Sequence, residues 1–428
     1  MKVCIVGAGV VGSYLAKRLS KEGFEVAVVD LDPTKLEALS YNYDVMTVNC
    51  NALEVNCLKT VQDFDLFVVV TESDEKNVSI AVLLKSLFNK ERVILRVSNK
   101  AFSSPPVKEF LKCETVNILS ETVQAVINHV KYPFALDVIR LEGENILVLK
   151  IKVTSESFLA GKQIQELSEI RKEIPFTIVA IEREGRTIIP SGTNFIYPGD
   201  ILYIAVKEED VPRLTELLRI DYSPVKLVFV FGYSRFTEEL LAQLSNLPVK
   251  VKFVCSDIEK CEELSGKFPK VDVFHGEFSD IEFLKEEGID KADLSVSITE
   301  DEEENVLSAV LCKKLGVKKT LALIVHPEYE RIVTSIGIDV PLVPRKLLAS
   351  KVYRQLSRRK FIDIFELSED LEIVEVEVTE NSADKQVKDA ELCDLIVAVK
   401  KEDGVELARG DTLLKRGDKL ICIKRKEK

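Results

Sequence analysis

Apolar and polar positions in this chain alternate between two rhythms. The first is an unbroken apolar run followed by a helical pattern. Lys2–Val6 empties into Gly7-Ala8-Gly9-Val10-Val11-Gly12, then Leu15, Ala16 and Leu19 recur at helical spacing. A second apolar run, residues 26–29, ends on Asp30. Unbroken apolar strands are what a parallel sheet covered on both faces demands. The rhythm continues with a helix at 33–39, a strand at 44–48, a helical stretch near 53–60 and a strand at 66–70. A helix at 77–88, strands at 93–97 and 116–119 and a helix at 121–130 complete it. This order predicts a doubly wound α/β domain.

The second rhythm starts near Tyr132-Pro133. Residues 146–153 partly alternate, the period of a half-exposed strand. Segments 177–183 and 186–190 flank Glu184-Gly185 as a hairpin, and Tyr197-Pro198-Gly199-Asp200 is a turn before a strand at 201–206. A short helix at 210–218 closes a small α+β module, and Asp221-Tyr222-Ser223-Pro224 reads as a linker.

Then the programme repeats. Leu227–Phe231 runs into Gly232, and residues 251–254 match 26–29. The stretch from Leu66 through Thr71, Glu72, Asp74, Glu75 and Asn77 is echoed from Leu294 through Thr299, Glu300, Glu302, Glu303 and Asn305. The turn Pro198-Gly199-Asp200 returns as Arg416-Gly417-Asp418. The chain is read as a tandem duplication. Its expected class is α/β: two Rossmann-like doubly wound parallel-sheet domains at 1–131 and 225–346, each followed by a small α+β domain, at 132–220 and 360–428.

Strand, glycine turn, helix, strand and terminal acid form a dinucleotide-binding unit in order. Gly7 permits the tight turn, Gly9 lets backbone N–H groups approach a pyrophosphate, and Gly12 lets the helix lie close to the strand. The helix N-terminus then faces the phosphates with its partial positive charge. Asp30 is placed to accept from a ribose diol.

Composition narrows the partners. A formal net charge of −12 argues against nucleic-acid binding. The nine Cys follow no zinc spacing and read as reduced thiols of a cytosolic chain, mostly small core residues. No apolar run approaches the roughly 18 residues of a membrane span, and no signal peptide precedes the first strand.

At Thr71…Asn77 and Thr299…Asn305, the glycine-turn fold with strand-Thr-x-x-Asp/Glu-Glu-x-Asn resembles the RCK (KTN) family of potassium-conductance regulators. The small modules look like its companion C-terminal domain, and the resemblance covers essentially the whole chain. It implies a cytosolic regulator, peripheral on the inner face of the membrane. Its implied ligand is NAD or NADH, with ATP or ADP possible. Its implied partners are a membrane potassium-translocating subunit of the TrkH or KtrB type and further copies of itself, as a dimer or tetrameric ring. Carried over by position, Gly7, Ala8, Gly9, Val10, Val11 and Gly12 would line the pyrophosphate, and Asp30 the adenosine ribose. Asn51 and Ala52, in Asn49-Cys50-Asn51-Ala52, stand where the family has a Gly-Asp-Ala turn near the adenine, without its Gly or Asp. Thr71 and Glu72 end the fourth strand at the switch point where ligands lie. Arg96, ending the fifth, matches the family's phosphate- or interface-facing Arg; its plainer reading is a surface ion pair.

In the second copy the matching positions are Gly232, Tyr233, Ser234, Arg235, Phe236 and Cys255. A Ser at the second position hinders close approach to a diphosphate, Cys255 replaces the ribose acid, and Gly276-Glu277 nearly restores the turn lost in copy one. This copy reads either as a second ligand site, with Arg235 meeting a phosphate, or as a degenerate fold kept for packing. An NAD-dependent dehydrogenase with two Rossmann domains is the competing function. Hydride transfer calls for a proton relay, but His129 and His326 read as structural and His275 as a core or ligand-edge residue. Glu72, Asp74 and Glu75 read as a helix-start charge run, either ligand contacts or a solvated cap. A binding switch is the preferred reading.

Overall fold

The computed structural model describes residues 1–21, 23–140, 145–220, 223–356, 371–380, 382–390, 392–401 and 404–425. The chain opens with β1 (Lys2–Val6), α1 (Val10–Lys21), β2 (Glu25–Asp30), α2 (Pro33–Asn42), β3 (Met46–Asn49) and α3 (Val55–Lys59). It continues with β4 (Leu66–Val69), α4 (Asp74–Phe88), β5 (Arg92–Val97), α5 (Pro105–Leu111), β6 (Glu114–Asn117) and α6 (Ile118–Lys131). The first small module holds β7 (Asp137–Arg140), β8 (Ile146–Lys152), α7 (Ser168–Glu173), β9 (Phe176–Arg183), β10 (Arg186–Ile188), β11 (Ile201–Lys207) and α8 (Val211–Leu217).

The second half follows the same script. Its nucleotide-type fold runs β12 (Leu227–Phe231), α9 (Thr237–Leu244), β13 (Lys250–Cys255), α10 (Ile258–Lys267), β14 (Val271–His275) and α11 (Ile281–Glu286). Then come β15 (Leu294–Ser297), α12 (Glu302–Lys314), β16 (Lys319–Leu323), α13 (Glu330–Ser335), β17 (Val340–Leu342) and α14 (Pro344–Leu356). The last module has β18 (Leu371–Glu377), β19 (Leu395–Lys401), β20 (Gly404–Leu407) and β21 (Lys419–Arg425). Asp221 and Tyr222 of the expected linker, and residues 360–370 of the expected last domain, lie outside the described residues.

In space the chain sorts like with like. One compact unit joins Met1–Ile127 to Lys226–Gln355, and the other joins Asn128–Val225 to Leu356–Lys428. The first unit holds two six-stranded parallel sheets among the described residues, ordered β3-β2-β1-β4-β5-β6 and β14-β13-β12-β15-β16-β17. Chain direction across each sheet reverses between β1 and β4, and between β12 and β15. Those are the points where α/β folds open a crevice beyond the strand ends. The strands are apolar along their length because helices cover both faces: Cys4, Val6, Ala27, Val29, Phe67 and Val69 all sit in one buried cluster.

Among the described residues the second unit holds two antiparallel sheets, β10-β9-β11-β8-β7 and β18-β21-β19-β20. Both copies carry a register shift at the same place, at Tyr203/Ile204 and at Ile396/Ala398. Both glycine turns also recur, with Gly199 at φ +94 and Gly417 at φ +87, where a Cβ would strain the backbone. Asp200 closes the first turn by accepting from the Tyr197 N–H at 2.8 Å, and Asp418 closes the second from the Lys415 N–H at 2.8 Å.

Two expectations are corrected here. Strand β8 is not half-exposed: Ile146 and Val148 pack with Val179, Tyr203 and Ala205 against Val397, Ala398, Ile421 and Ile423 of the other sheet. The partly alternating pattern reflects a second covered face, supplied by residues some 250 positions away. The cysteines are not all reduced: Cys50 is joined to Cys57 and Cys393 to Cys422, while Cys4, Cys113, Cys255, Cys261 and Cys312 are free and buried. Pairing depends on Cβ placement, which spacing alone does not report, and it removes the thiols as an argument for the compartment. Among the described residues no helix is long and apolar enough to cross a membrane, and no group of His, Cys, Asp and Glu could hold a metal ion.

Candidate functional site

The crevices of both nucleotide-type folds rest on the same clamp. In copy one Asn77, fully buried on α4, accepts from the Thr71 N–H at 3.1 Å and from the Thr71 hydroxyl at 2.5 Å. Its amide donates to the carbonyls of Thr71 at 3.2 Å and Arg96 at 2.9 Å, tying the ends of β4 and β5 together. Copy two repeats this through Asn305, with Thr299 and the Leu323 carbonyl. Asp74, nine-tenths buried, accepts from the Ser98 and Asn99 N–H groups, so it is neither a solvated cap nor a free ligand group. Glu302 does the same for Val325 and His326. The repeated acid and Asn of the strand-four motif are therefore positioning residues, a role the sequence analysis left open.

At the first glycine turn the residue choices have steric reasons. A Cβ on Gly12 would lie 1.8 Å from the Gly7 carbonyl oxygen, and one on Gly7, at φ +109, would press on the Val70–Thr71 backbone at 3.1 Å. A Cβ on Gly9 would meet nothing within 4 Å: the space before it is open. The Ser13 N–H is the first of the helix to find a partner, on the Gly9 carbonyl at 2.8 Å. The N–H groups of Gly9, Val10, Val11 and Gly12 have no acceptor among the described residues. Four orphan donors at the positive end of a twelve-residue helix make an anion cradle. Beside it, Asp30 accepts from the Ala8 N–H at 2.5 Å and the Asp32 N–H at 2.9 Å. Its carboxylate is thus held at the rim by backbone donors.

Around this turn the other expected residues sort by what their polar groups already do. Thr71 is committed to the clamp, and Glu72 stands next to it at the head of α4. Arg96 is half-buried and donates from Nη1 to the Thr71 carbonyl at 2.9 Å, while its Nε is buried without a hydrogen-bond partner. Burial, then the charges of Arg235 and Arg345, push its pKa below the usual guanidinium value, against Asp74 and Glu72. It is not an ordinary surface ion pair. Asn51 accepts the Leu53 N–H at 3.1 Å, and Ala52 is buried in the core. The segment before them is tied to the strand that ends on Asp30, since the Cys50 N–H and the Asn49 amide both donate to the Asp30 carbonyl.

The second glycine turn keeps the path and loses the donors. Gly232 is still required, since a Cβ there would lie 1.9 Å from Thr299 Cγ2. The helix starts late, at Thr237. The Ser234 N–H donates to Thr237 Oγ1 at 2.9 Å, the Arg235 N–H to Glu300 Oε1 at 3.2 Å, and the Phe236 N–H to Ser234 Oγ at 3.4 Å. The four amides that match Gly9 to Gly12, those of Ser234 to Thr237, thus all have internal acceptors, one of them a carboxylate. Short hydroxyl side chains at Ser234 and Thr237, able to accept from neighbouring backbone N–H groups, are the sequence signal that could have revealed this. Cys255 Sγ accepts from the Asp257 N–H at 3.4 Å, as Asp30 does from Asp32, but offers no charge to a sugar.

This second crevice, about 290 Å³, is lined by Tyr233, Asp257, Glu277, Glu300, Asp301 and Glu304 among others, with no Lys, Arg or His among the described lining residues. Burial pushes the Glu304 carboxyl up, reinforced by Asp301 and Glu277 and opposed by a Thr299 hydrogen bond. Leu323, 4% exposed, stands in the clamp position of Arg96. Between the copies, Lys100 pairs with Glu239 and the charge of Arg235 reaches Arg96. His275 contacts the Ser256 carbonyl and His326 pairs with Glu302, both in copy two, while His129 is buried in the other unit.

Comparison with known proteins agrees with this architecture. The TrkA-N domain model matches residues 3–119 and 228–344, and the TrkA-C domain model matches 148–219. The chain is 30% identical to the Trk system potassium uptake protein TrkA homolog of Archaeoglobus fulgidus, over 99% of this chain and 97% of that one. It is 28% identical to the Trk system potassium uptake protein TrkA of Halomonas elongata, over 99% and 95%. Among solved structures, the GsuK channel bound to NAD shares the fold at TM-score 0.64 and 18% identity, over 99% of this chain and 76% of that one.

Proposed function

The chain belongs to the TrkA family, and from that premise we propose that it is the nucleotide-sensing regulatory subunit of a Trk-type potassium uptake system, with the first crevice as its sensor. One observation carries the ligand assignment: four N–H groups without acceptors at the start of α1, facing the open space in front of Gly9. The orphaned Nε of Arg96 supplies a further donor on the opposite strand ends. These groups fit a ligand that carries a diphosphate and an adenosine ribose, as NAD, NADH, ATP and ADP all do, with Asp30 at the ribose rim. The nucleotide, once bound, supplies negative charge and a diol; this chain's residues do the rest. Gly9–Gly12 donate to the anion, Asp30 exchanges a backbone donor for sugar hydroxyls, and Asn77 keeps β4 and β5 at a fixed separation.

A ligand shifts a conformation only by binding one state better than another. Arg96 sits where copy one meets the charge of Arg235 from copy two. Phosphates near Arg96 would relieve the repulsion between those cations and bias the seam that Lys100 and Glu239 also bridge. The seam would pass that bias to a membrane potassium-translocating subunit, with the chain held at the inner face as part of a dimer or tetrameric ring. None of the residues assigned to the first crevice is a His, which favours a binding switch over hydride transfer. Calorimetric titration with NADH and ATP, followed by potassium flux in vesicles carrying the membrane subunit, tests the reading. Saturable binding that changes flux is expected. Turnover of a hydroxy or amino acid with NAD, or no nucleotide binding at all, would overturn it.

A further inference from the structure

We propose that Cys50 and Cys57 form a reversible dithiol–disulfide pair that sets how tightly the first crevice holds its nucleotide, an inference that rests on the sensor reading above. The bridge joins cysteines seven positions apart with their Cα atoms 5.8 Å apart, within the ordinary disulfide range, so it can form without moving the backbone. Its upstream end is fastened to the ribose acid: the Cys50 N–H donates to the Asp30 carbonyl at 3.2 Å, and the Asn49 amide donates to the same oxygen at 3.1 Å. Its downstream end is the 4%-exposed Cys57 on α3, packed in the core with Leu58 and Ala52. Between them, the hydrogen bonds of Asn51 to Glu54 are all local: the Glu54 N–H to the Asn51 carbonyl, the Leu53 N–H to the Asn51 side chain, and the Glu54 carbonyl accepting from Cys57 and Leu58. The sulfur bridge is the covalent staple between this loop's two ends.

The second copy shows what the staple replaces. Cys50 is the first residue after β3 and Cys57 the third of α3; in copy two those places are Gly276, after β14, and Phe283, in α11. A Cβ on Gly276 would lie 3.3 Å from the Phe283 ring, so there the loop is closed by permanent apolar packing. Only the copy with the open amide cradle carries a closure that chemistry can undo. The other disulfide, Cys393–Cys422, belongs to the second unit.

The reductant is a dithiol. Its thiolate attacks the Sγ of Cys50, the less buried of the two residues; the S–S bond breaks and Cys57 leaves as a thiolate that takes up a proton. The second thiol then displaces Cys50 from the mixed disulfide. The dithiol departs as its own disulfide, and two electrons and two protons have passed to Cys50 and Cys57. A loop ordered before the ligand arrives loses less freedom on binding. The bonded form is therefore the tighter one, by about tenfold.

The test is a fluorescence titration of NADH into the full chain, air-oxidised and after dithiothreitol, beside the Cys50→Ser/Cys57→Ser and Cys393→Ser/Cys422→Ser variants. The expected result is about tenfold weaker binding on reduction, kept in the 393/422 variant. The 50/57 variant binds at the reduced affinity under both conditions. In the reduced wild type, bound NADH slows maleimide labelling of Cys50. Equal affinity in the two redox states, or a redox difference that survives in the 50/57 variant, overturns this inference and leaves the sensor intact. Absence of NADH binding in either state overturns both.

Discussion

The two nucleotide-type folds share one chain path and differ in what their glycine turns do with hydrogen-bond donors. In copy one the amides of Gly9 to Gly12 are unspent and the space before Gly9 is open. In copy two, Ser234, Thr237 and Glu300 take the corresponding amides, and five carboxylates line the crevice. The Asn clamp is the same in both. Duplication thus preserved what holds the sheet together and released what would hold a ligand. A phosphate entering the second crevice would have to displace a carboxylate and face several more at low effective dielectric.

The largest effect should come from the shared part. Asn77→Ala and Asn305→Ala each remove four hydrogen bonds and orphan buried backbone groups, a loss of about 3 kcal/mol. Urea denaturation should show both variants destabilised alike; a loss in one only would break the equivalence of the folds. Next is the part that differs. Asp30→Ala should weaken NADH binding about thirtyfold, since hydrogen bonds to a charged group contribute about 2 kcal/mol, while Cys255→Ala leaves the calorimetric isotherm unchanged. Arg96→Leu, which copies Leu323, should cost about tenfold with little change in melting temperature.

The smallest effect is electrostatic. The folded-state pKa of Glu304 lies above its ordinary value, so its contribution is fully present in acid and is lost as pH rises through that raised pKa. Glu304→Gln should therefore raise the melting temperature by about a degree or two at pH 8 and not at pH 4. An increase at pH 4 alone would contradict the sign.

Much of this contrast was legible in the sequence, and the limits are physical. The apolar runs and glycine turns predicted both parallel sheets, because a strand buried on two faces leaves a one-dimensional trace. Ser234 and Cys255 already marked the second copy as deviant. Spacing did not show that β8 is covered on its second face, since the covering residues, Val397, Ala398, Ile421 and Ile423, belong to the other half of the chain. Nor did it show the two disulfides, or that Asp74 is spent on the Ser98 and Asn99 amides. Those facts depend on how distant strand ends meet.

The central claim is that one crevice of the two is a nucleotide sensor. The most direct measurement is the stoichiometry of NADH binding to the full chain by calorimetry, for the wild type and for Gly9→Val, whose side chain would fill the open space before the amides. The account predicts one NADH per chain and none for Gly9→Val, with the variant's melting temperature unchanged. Two equivalents per chain, or a Gly9→Val protein that still binds NADH at wild-type affinity, would contradict it.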